Sequence, residues 1–519
     1  MENITINPTL NPQLDSTDYS ARQLILPLDC GVLIEKNDPV RSFCEILEGV
    51  NLKAYLKPNG KGRHDYEDLT LLKIVLFAYM SQILSLRDIE SACRCDIRFM
   101  WLAQGIRPSH MTFQRLINER LKGKLESIFI IDINRVLIEK DQVQTDVLYI
   151  DGTKLEANAT KNSFVWKKAV LKFQAKLYLK ITKFYEKHGL LPKTSYHFDD
   201  LNPLVEAYLK DIHLTKMEFV QGKGHKKSQL QRNYEEIKEY RDKLKEYEAH
   251  LRICGERNSY SKTDHDATFM HSKEDYYMKT GIFKPAYNVQ LGVSDEYILY
   301  AKVYPNPGDT LTFIPFLESY RKAYGSYPKT PVADAGYGSY ENYLYCVEHQ
   351  MELVQKYSYY ESEKHGVKEE AQYRAKSMRQ EDGSYRCPQG KDFIYQQSVL
   401  KTEGSYPRLE HQYQCEDCTN CPVANRCKKS ENARTLRVNP VLFELQDIAK
   451  ENLDSPRGIE LRVQRSIQSE STFGQLKYNW GKTRFMRRGK ENVENELFLI
   501  AIGLNLMKYH AKKMRKKLN

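Results

Sequence analysis

The sequence predicts an α/β protein in which a mixed sheet with flanking helices is joined to an N-terminal all-α domain. Two short apolar, β-prone runs each reach an acid, at 148–151 and at 331–334. A strand hairpin is predicted between them at 287–304, and amphipathic helices come before, between and after these strands. Two long inserts interrupt the pattern, one of them helical and the other carrying cysteines.

The composition is typical of a large protein with a polyanionic partner. The chain has 519 residues, more than one typical domain, and 41% of them are hydrophobic. The net charge is +11, with basic residues concentrated in the tail from Lys508. This favours a partner such as DNA, although a solvated tail explains the charge equally well. No apolar run is long enough to span a membrane and no signal pattern opens the chain, so we expect a cytoplasmic protein.

The N-terminal third of the chain is predicted to be helical. Residues 1–25 are polar and predict a flexible arm, and residues 26–141 predict helices that include 66–84, 86–93 and 113–121. A tight turn at 105–109 precedes the last of these, which carries Arg115 and Arg120. This arrangement is typical of a helix-turn-helix DNA-binding domain, and a plain helical bundle fits the spacing as well.

The sheet-bearing core is predicted to consist of residues 142–163, 256–357 and 456–510. Its elements follow in the order strand, hairpin, helix, strand, helix, strand and helix, which is the order of a ribonuclease-H-like fold. Residues 164–255 predict a helical hairpin insert, because apolar residues recur every seven positions from Leu230 to Leu251. This seam packs the hairpin on itself or forms a dimer zipper. Residues 358–455 predict the cysteine insert, and 511–519 a basic tail.

Three acids and one lysine are the candidate catalytic residues. Asp151 and Asp334 each follow an apolar run and precede small residues. Glu470 lies on a helix predicted from Gly458, and Lys477 lies two helical turns further on the same face. Carboxylates are the ligands that Mg²⁺ (or Mn²⁺) prefers, and two such ions carry out phosphodiester chemistry. The alternatives are ordinary turns at the two aspartates and a salt-bridged surface helix at Glu470.

Several stretches together resemble the DDE transposases of bacterial insertion sequences. They are YIDGTKLEANATK, DATFM, KPAYNVQLGV, ADAGYGSYENY and RSIQSESTFGQLK through RRGKENVENELFLIAIGLNLMKY. In the N-terminal region, LSLRDIESACRCDIRFMWL and PSHMTFQRL resemble the helical DNA-binding domain of that family. The resemblance covers nearly the whole chain.

The resemblance implies a cut-and-paste enzyme with a ribonuclease-H-like core. Asp151, Asp334 and Glu470 would be its metal-binding catalytic acids, and Lys477 matches the lysine that follows the glutamate in many relatives. The enzyme would bind the terminal inverted repeats, cleave there and join 3′-hydroxyls to target DNA. The family's tyrosine and arginine before the glutamate do not match in spacing, since Val463 and Ser466 stand there and Arg465 is one place off.

The expected partner is double-stranded DNA, from the element ends and from the target. The expected location is the bacterial cytoplasm, on the nucleoid when DNA is bound. Basic residues near the third acid predict the DNA-facing surface: Arg465, Lys477, Arg484, Arg487 and Arg488. Protomers are expected to pair as a homodimer in the synaptic complex. Two alternatives are a catalytically inactive DNA-binding protein derived from a transposase and a stand-alone ribonuclease-H-like nuclease.

Five cysteines lie between positions 387 and 427, at spacings that suit tetrahedral Zn²⁺. We favour Cys387, Cys418, Cys421 and Cys427 as the ligands of a structural zinc, with Cys415 as a spare. Reduced cysteines without a metal are the alternative.

Overall fold

The computed structural model describes residues 30–56, 66–220, 226–271, 282–364 and 371–518, and the predicted arm at 1–25 lies outside these ranges. The protein has a mixed α/β fold with a mixed central sheet. Its strands are β1 (Val147–Glu156), β2 (Phe164–Trp166), β3 (Ser259–Ser261), β4 (Thr268–His271), β5 (Phe283–Ser294), β6 (Tyr297–Tyr304), β7 (Thr330–Ala333), β8 (Val354–Gln355), β9 (Phe393–Lys401), β10 (Arg408–Cys415) and β11 (Thr435–Val438).

Helices surround the sheet and form most of the N-terminal region. The α-helices are Cys30–Leu33, Pro39–Glu48, Asp68–Met80, Leu86–Cys95, Ile97–Leu102, His110–Arg115, Leu125–Ser127, Arg135–Asp141, Lys167–Lys187, Phe198–Leu214, Gln229–Cys254, Phe313–Tyr324, Tyr340–Glu348, Tyr360–Lys364, Ala424–Cys427, Pro440–Asp454, Pro456–Arg465, Ser471–Gly474 and Lys490–Leu518. Four π-helical turns continue such helices, at Leu116–Arg120, Ile128–Asn134, Ser466–Glu470 and Gln475–Asn479. We call the continuous run of turns from 456 to 479 the Glu470 helix.

The central sheet joins an antiparallel half to a parallel half. Its order is β6–β5–β1–β7–β8, with β4 beside the first part of β5. The strand pairs β6–β5 and β5–β1 are antiparallel, whereas β1–β7 and β7–β8 are parallel. The predicted order of a strand, a hairpin, a helix, a strand, a helix and a strand is therefore present along the chain.

Strand β1 is longer than the sequence indicated. It was expected to end at Asp151, but it continues to Glu156, and residues 149–156 pair with β5. The continuation is favoured by alternation, because Thr153 and Leu155 are buried while Gly152, Lys154 and Glu156 are half-buried. On its other side β1 pairs with β7 only over residues 147–149. Asp151 therefore lies where β1 has already lost its parallel neighbour.

The N-terminal helices share one core with the sheet. The Asp68–Met80 helix is buried along almost its whole length and packs against the Lys490–Leu518 helix, which itself lies on β6. At the helix contact a Cβ on Gly503 would come within 2.6 Å of the Tyr79 carbonyl oxygen, so only glycine permits this close approach. No helix within the described ranges is long and apolar enough to cross a membrane.

The described residues of the helical insert form three helices, Lys167–Lys187, Phe198–Leu214 and Gln229–Cys254, where a two-helix hairpin was expected. A left-handed Gly189 and the following Pro192 end the first helix, and His197 with Asp200 forms a capping box that starts the second. Ile237 and Leu244 of the seven-residue seam are buried inside the insert. The seam therefore packs the insert on itself, the first of the two arrangements that its seven-residue spacing allows.

The cysteine insert contains a three-stranded antiparallel sheet, β9–β10–β11, that the sequence did not predict. Strand β9 is exposed along most of its length and has no apolar alternation to reveal it. Its first residue Phe393 packs with Cys415, Leu436 and Val438 in a small separate core.

Candidate functional site

The parallel register brings two of the predicted acids to the same place. Residues 147, 148 and 149 of β1 lie opposite Thr330, Pro331 and Val332 of β7. Continuing this offset by two residues places Asp334, which follows the end of β7, beside Asp151. Asp151 is buried and its Oδ1 accepts a hydrogen bond from its neighbour Gly152 N at 2.9 Å. Asp334 is half-exposed, and its Oδ1 accepts from Gly336 N at 2.8 Å.

Arg465 lies between these two carboxylates. Its Nη2 is 3.0 Å from Asp151 Oδ1 and 3.5 Å from Asp334 Oδ2, and only 14% of its side chain is exposed. The sequence places Arg465 on a different face from Glu470, because residues five apart in an α-helix differ in direction by about 140°. The Ser466–Glu470 turn is π-helical instead, and i→i+5 bonding brings residues five apart to nearly the same side. Its predicted contact with DNA stays a prediction.

Asp309 is a fourth acid at this site, and it was not among the predicted residues. Its Oδ1 accepts hydrogen bonds from Asn288 Nδ2 at 2.7 Å and from Gln290 Nε2 at 2.9 Å. A Cβ on Gly152 would lie 2.7 Å from Asp309 Oδ1, and one on Gly336 would lie 3.7 Å from Asp309 Oδ2. Asp309 thus sits between the residues that follow Asp151 and Asp334. The available signal was the pair of polar residues, Asn288 and Gln290, in the otherwise apolar stretch 286–293.

Buried hydrogen bonds fix the floor of the site. The Tyr337 hydroxyl is fully buried and donates to Gln290 Oε1 at 2.5 Å. Burial raises the pKa of Tyr337 well above its ordinary value, and the carboxylates of Asp309, Asp151 and Asp334 raise it further. Tyr337 therefore stays neutral and holds Gln290, whose amide nitrogen reaches Asp309.

Glu470 occupies an exposed position at the end of the π-helical turn that packs against β1 and β5. Within the described residues its carboxylate has no hydrogen-bond or ion-pair partner. The two aspartates are thus brought together through Arg465, whereas Glu470 is not joined to them by a direct contact. Lys477 lies on the second π-helical turn of the Glu470 helix and is half-buried.

The loop between the Glu470 helix and the last helix, residues 481–489, carries three of the predicted DNA-binding arginines, and we call it the arginine loop. It lies beside the end of β1, since Glu156 N donates to Thr483 O at 2.9 Å and Phe485 N donates to Glu156 O at 2.8 Å. Arg484 and Arg488 are exposed. They donate to backbone carbonyls of 157–159, the segment that leads from β1 into the helical insert. Arg487 is half-buried and donates to Asn118.

A buried ion pair holds the arginine loop in shape. Lys482 and Glu496 contact each other with 4% and 2% of their side chains exposed. Glu496 also accepts hydrogen bonds from the amides of Met486 and Arg487 at 3.0–3.1 Å. From the other side, Asp264 accepts from Gly489 N at 3.3 Å. These contacts join the arginine loop to the Lys490–Leu518 helix on one side and to Asp264 on the other.

The two predicted DNA-binding residues of the N-terminal region differ in their surroundings. Arg115 is exposed at the end of the His110–Arg115 helix. Arg120 forms an ion pair with the buried Asp68. Both positions stay predictions as DNA contacts.

The five cysteines of the insert line one cavity of about 160 Å³. Within the described ranges, however, no group of three or more His, Cys, Asp or Glu side chains is arranged to hold a metal ion. Cys387 and Cys418 Sγ accept hydrogen bonds from the amides of Lys391 and Arg434 at 3.3 and 3.5 Å. Burial, followed by the hydrogen bond with Cys418, raises the pKa of Cys415 to about 12, which keeps it a neutral thiol. The zinc site stays a prediction.

Chemically, the arrangement offers two carboxylates that already share one cation, an exposed glutamate on the adjoining helix and a fixed basic loop at the end of the same strand. This combination suits an anionic substrate whose reacting group must be charge-neutralised.

Two stretches of the chain match known protein families. Residues 386–510 match the family model described as a transposase DDE domain. Residues 29–119 match the family model described as a transposase domain, DUF772. No curated protein and no solved structure gave a significant match to the chain.

Proposed function

We propose that this chain is a DDE transposase of an insertion sequence, which the two family matches support. It binds the terminal inverted repeats of its element, cleaves the DNA strands at the element ends and joins the 3′-hydroxyls to target DNA. The observation that carries the proposal is the pairing of Asp151 and Asp334 through Arg465 at the end of the parallel strands.

The sheet order supports the ribonuclease-H-like part of the proposal. The long β1 lies at the centre of the sheet, with the antiparallel β5–β6 hairpin on one side and the parallel strands β7 and β8 on the other. Asp151 lies on β1, Asp334 follows β7 and Glu470 lies on a late helix.

The donor set fits divalent metal of the Mg²⁺ or Mn²⁺ type. Asp151 and Asp334 already accept one positive group between them, and hard carboxylate oxygens are the ligands that such ions prefer. Asp151, Asp334 and Glu470 would hold it. When bound, two such ions neutralise charge on the phosphate and activate the attacking oxygen.

The chain's own residues would then position the DNA for two phosphoryl transfers. In the first, water attacks phosphorus at the element end, the P–O3′ bond breaks and the departing oxygen takes up a proton as a 3′-hydroxyl. In the second, that hydroxyl attacks a target phosphorus and displaces the target's own 3′-oxygen. Arg465, once released from the aspartates, and Lys477 would contact the phosphates, and the arginine loop would hold the adjoining duplex.

The synaptic complex would contain two protomers, one for each element end, as a homodimer on double-stranded DNA. The predicted helix-turn-helix, with Arg115 and Arg120, would read the inverted repeat.

We also propose that the cysteine insert binds a structural zinc through Cys387, Cys418, Cys421 and Cys427. All four line one cavity, and three of their sulfurs accept hydrogen bonds from N–H groups, including Arg434 Nη1 on Cys427 at 3.1 Å. Cys415, with its raised pKa, fits the part of the spare.

The test of the proposed function uses the element's own ends, taken from the DNA that borders the gene. The Asp151→Asn, Asp334→Asn and Glu470→Gln proteins are incubated with end-containing duplexes, plasmid target and Mg²⁺. Each should lose about a thousandfold in cleavage and strand transfer, about 4 kcal/mol of transition-state stabilisation. Asp146→Asn, on the exposed approach to β1, is the matched control and should behave as wild type.

The outcomes separate the alternatives. Wild-type protein that binds ends but never cleaves would favour the inactive DNA-binding protein. Cleavage of any duplex without strand transfer would favour the stand-alone nuclease. Full strand transfer by Asp151→Asn would remove the proposed active site.

A further inference from the structure

The first helix of the insert, Lys167–Lys187, carries a one-sided stripe of lysines. Its 21 residues include seven lysines and one glutamate. Six of the lysines follow one another at intervals of three or four residues: Lys168, Lys172, Lys176, Lys180, Lys183 and Lys187. At about 100° per residue they fall within an arc of about 120°, over a length of about 28 Å. We call these six residues the lysine stripe.

The stripe faces away from the core of the insert. All six lysines are exposed, whereas Leu177, Ile181 and Phe184 of the same helix are buried against the other two helices. Within the described residues none of the six forms an ion pair or a hydrogen bond through its side chain. The positive charges are therefore neither used to join elements nor neutralised by neighbours.

The other two helices of the insert do not share this pattern. The Phe198–Leu214 helix has four acidic residues and one lysine, and the Gln229–Cys254 helix has six acidic and six basic residues. A surface shaped for solubility alone intersperses both signs. In this insert the signs are separated by helix, which indicates an anionic partner for the first one.

The insert that carries the stripe begins next to the arginine loop. The insert is entered from β1 through residues 157–163, and Arg488 Nε donates to Asn158 O at 2.6 Å while Asn158 Nδ2 donates to Met486 O at 2.6 Å. A duplex that crosses the arginine loop thus has the insert as a neighbouring surface.

We propose that the lysine stripe is a second DNA-binding surface, which holds the phosphate backbone of double-stranded DNA outside the cleavage site without reading its sequence. Lysines are flexible point charges, and a row of them at helical spacing follows a backbone that presents one negative charge per about 1.7 Å of duplex axis. The choice of DNA as ligand rests on the proposed function.

The test measures binding alone, in EDTA, with full-length protein and a fluorescent 60-base-pair duplex of arbitrary sequence. The stripe variant carries Lys172→Gln, Lys176→Gln and Lys180→Gln. The matched control carries Lys210→Gln, Lys238→Gln and Lys245→Gln, three exposed lysines of the other two helices. Glutamine and lysine have nearly equal helix propensity, so both triples should fold, and thermal melting checks this.

The stripe variant should bind at least about tenfold more weakly at 0.1 M salt, and its slope of log K against log salt should be shallower by about three, since each lost phosphate contact removes about 0.9. The control should match wild type. Equal affinities and slopes for the two triples would overturn the proposal. So would binding to phosphatidylglycerol vesicles that depends on the stripe while DNA binding does not.

These binding outcomes do not depend on DNA cleavage or strand transfer. Wild-type protein that binds DNA through the stripe but never cleaves element ends would refute the proposed transposition and leave the stripe in place. Cleavage that proceeds while both triples bind DNA alike would do the reverse.

Discussion

Replacing Arg465 by glutamine tests whether this residue holds the place of a divalent cation. Asp151 Oδ1 and Asp334 Oδ2 lie 3.0 and 3.5 Å from the same guanidinium nitrogen, so the two oxygens are at most about 6.5 Å apart. Two like charges at that separation repel by about 2.5 kcal/mol at an effective dielectric constant of about 20. Because 41% of the Asp334 side chain is exposed, screening lowers the expected loss to about 2 kcal/mol.

The assay is urea unfolding without DNA, in EDTA and in saturating Ca²⁺. Ca²⁺ is used because it binds carboxylates. Arg465→Gln should lose about 2 kcal/mol of unfolding free energy in EDTA and regain it in Ca²⁺. In wild-type protein the guanidinium must first leave the aspartates. The variant should therefore bind Ca²⁺ about thirtyfold more tightly, the factor that corresponds to about 2 kcal/mol.

Arg457→Gln is the matched control, since Arg457 lies on the same helix and pairs with Glu352 away from the site. It should lose less than about 1 kcal/mol, and Ca²⁺ should not restore the loss. If Ca²⁺ stabilises wild type and Arg465→Gln equally, Arg465 does not compete with a cation and the reasoning fails.

Three further predictions concern neighbouring features. Asp309→Asn should weaken Mn²⁺ binding about tenfold in electron paramagnetic titrations without DNA, because a carboxylate beside Asp151 and Asp334 adds to the field that attracts the ion; unchanged Mn²⁺ affinity would reduce Asp309 to a packing role. Burial opposes the shift, but hydrogen bonds from Lys513, Tyr509 and Lys140 lower the pKa of Glu45 to about 2. The contribution of Glu45 to stability is therefore complete above the unfolded pKa of about 4.3 and is lost as the pH falls towards 2. At pH 6 the free energy of unfolding of Glu45→Gln should be lower than that of wild type by less than about 1 kcal/mol, and at pH 2 the two proteins should unfold alike. Cys421→Ser should remove zinc from purified protein in metal analysis, whereas Cys346→Ser, in the main core, should not; a zinc-free wild-type protein would end that proposal.

The strand positions of the first two acids could be predicted because their local chemistry repeats. An apolar run, an acid and small residues mark both Asp151 and Asp334. What the sequence could not supply was the register. Only the pairing of residues 147–149 with 330–332 makes the two acids neighbours, and parallel pairing depends on contacts far apart in the chain. The continuation of β1 beyond Asp151 was missed because an acid followed by glycine is typical of a turn.

Asp309 and the β9–β11 sheet were missed for a related reason. Asp309 follows the run Asn306-Pro307-Gly308, which is typical of a turn, and its neighbours at the site come from β1, β5 and the loop after β7. Strand β9 buries little more than Phe393, so no period-two pattern was available. In both cases the distinguishing information lies in tertiary contacts and not in the local residues.

The placement of Arg465 shows most directly how a local rule can fail at a functional site. An α-helical period of 3.6 residues separates the faces of Arg465 and Glu470, and it aligns Glu470 with Lys477. The π-helical turns at Ser466–Glu470 and Gln475–Asn479 each alter that phase. Arg465 contacts both aspartates, and Lys477 lies on the second of these turns. Wide turns of this kind are weaker than α-helical turns and persist where surrounding contacts favour them, which is why they are frequent at functional sites. Here Arg465, directly before the first π-helical turn, contacts both aspartates, so a cation that takes its place also removes the contacts that join this part of the Glu470 helix to Asp151 and Asp334.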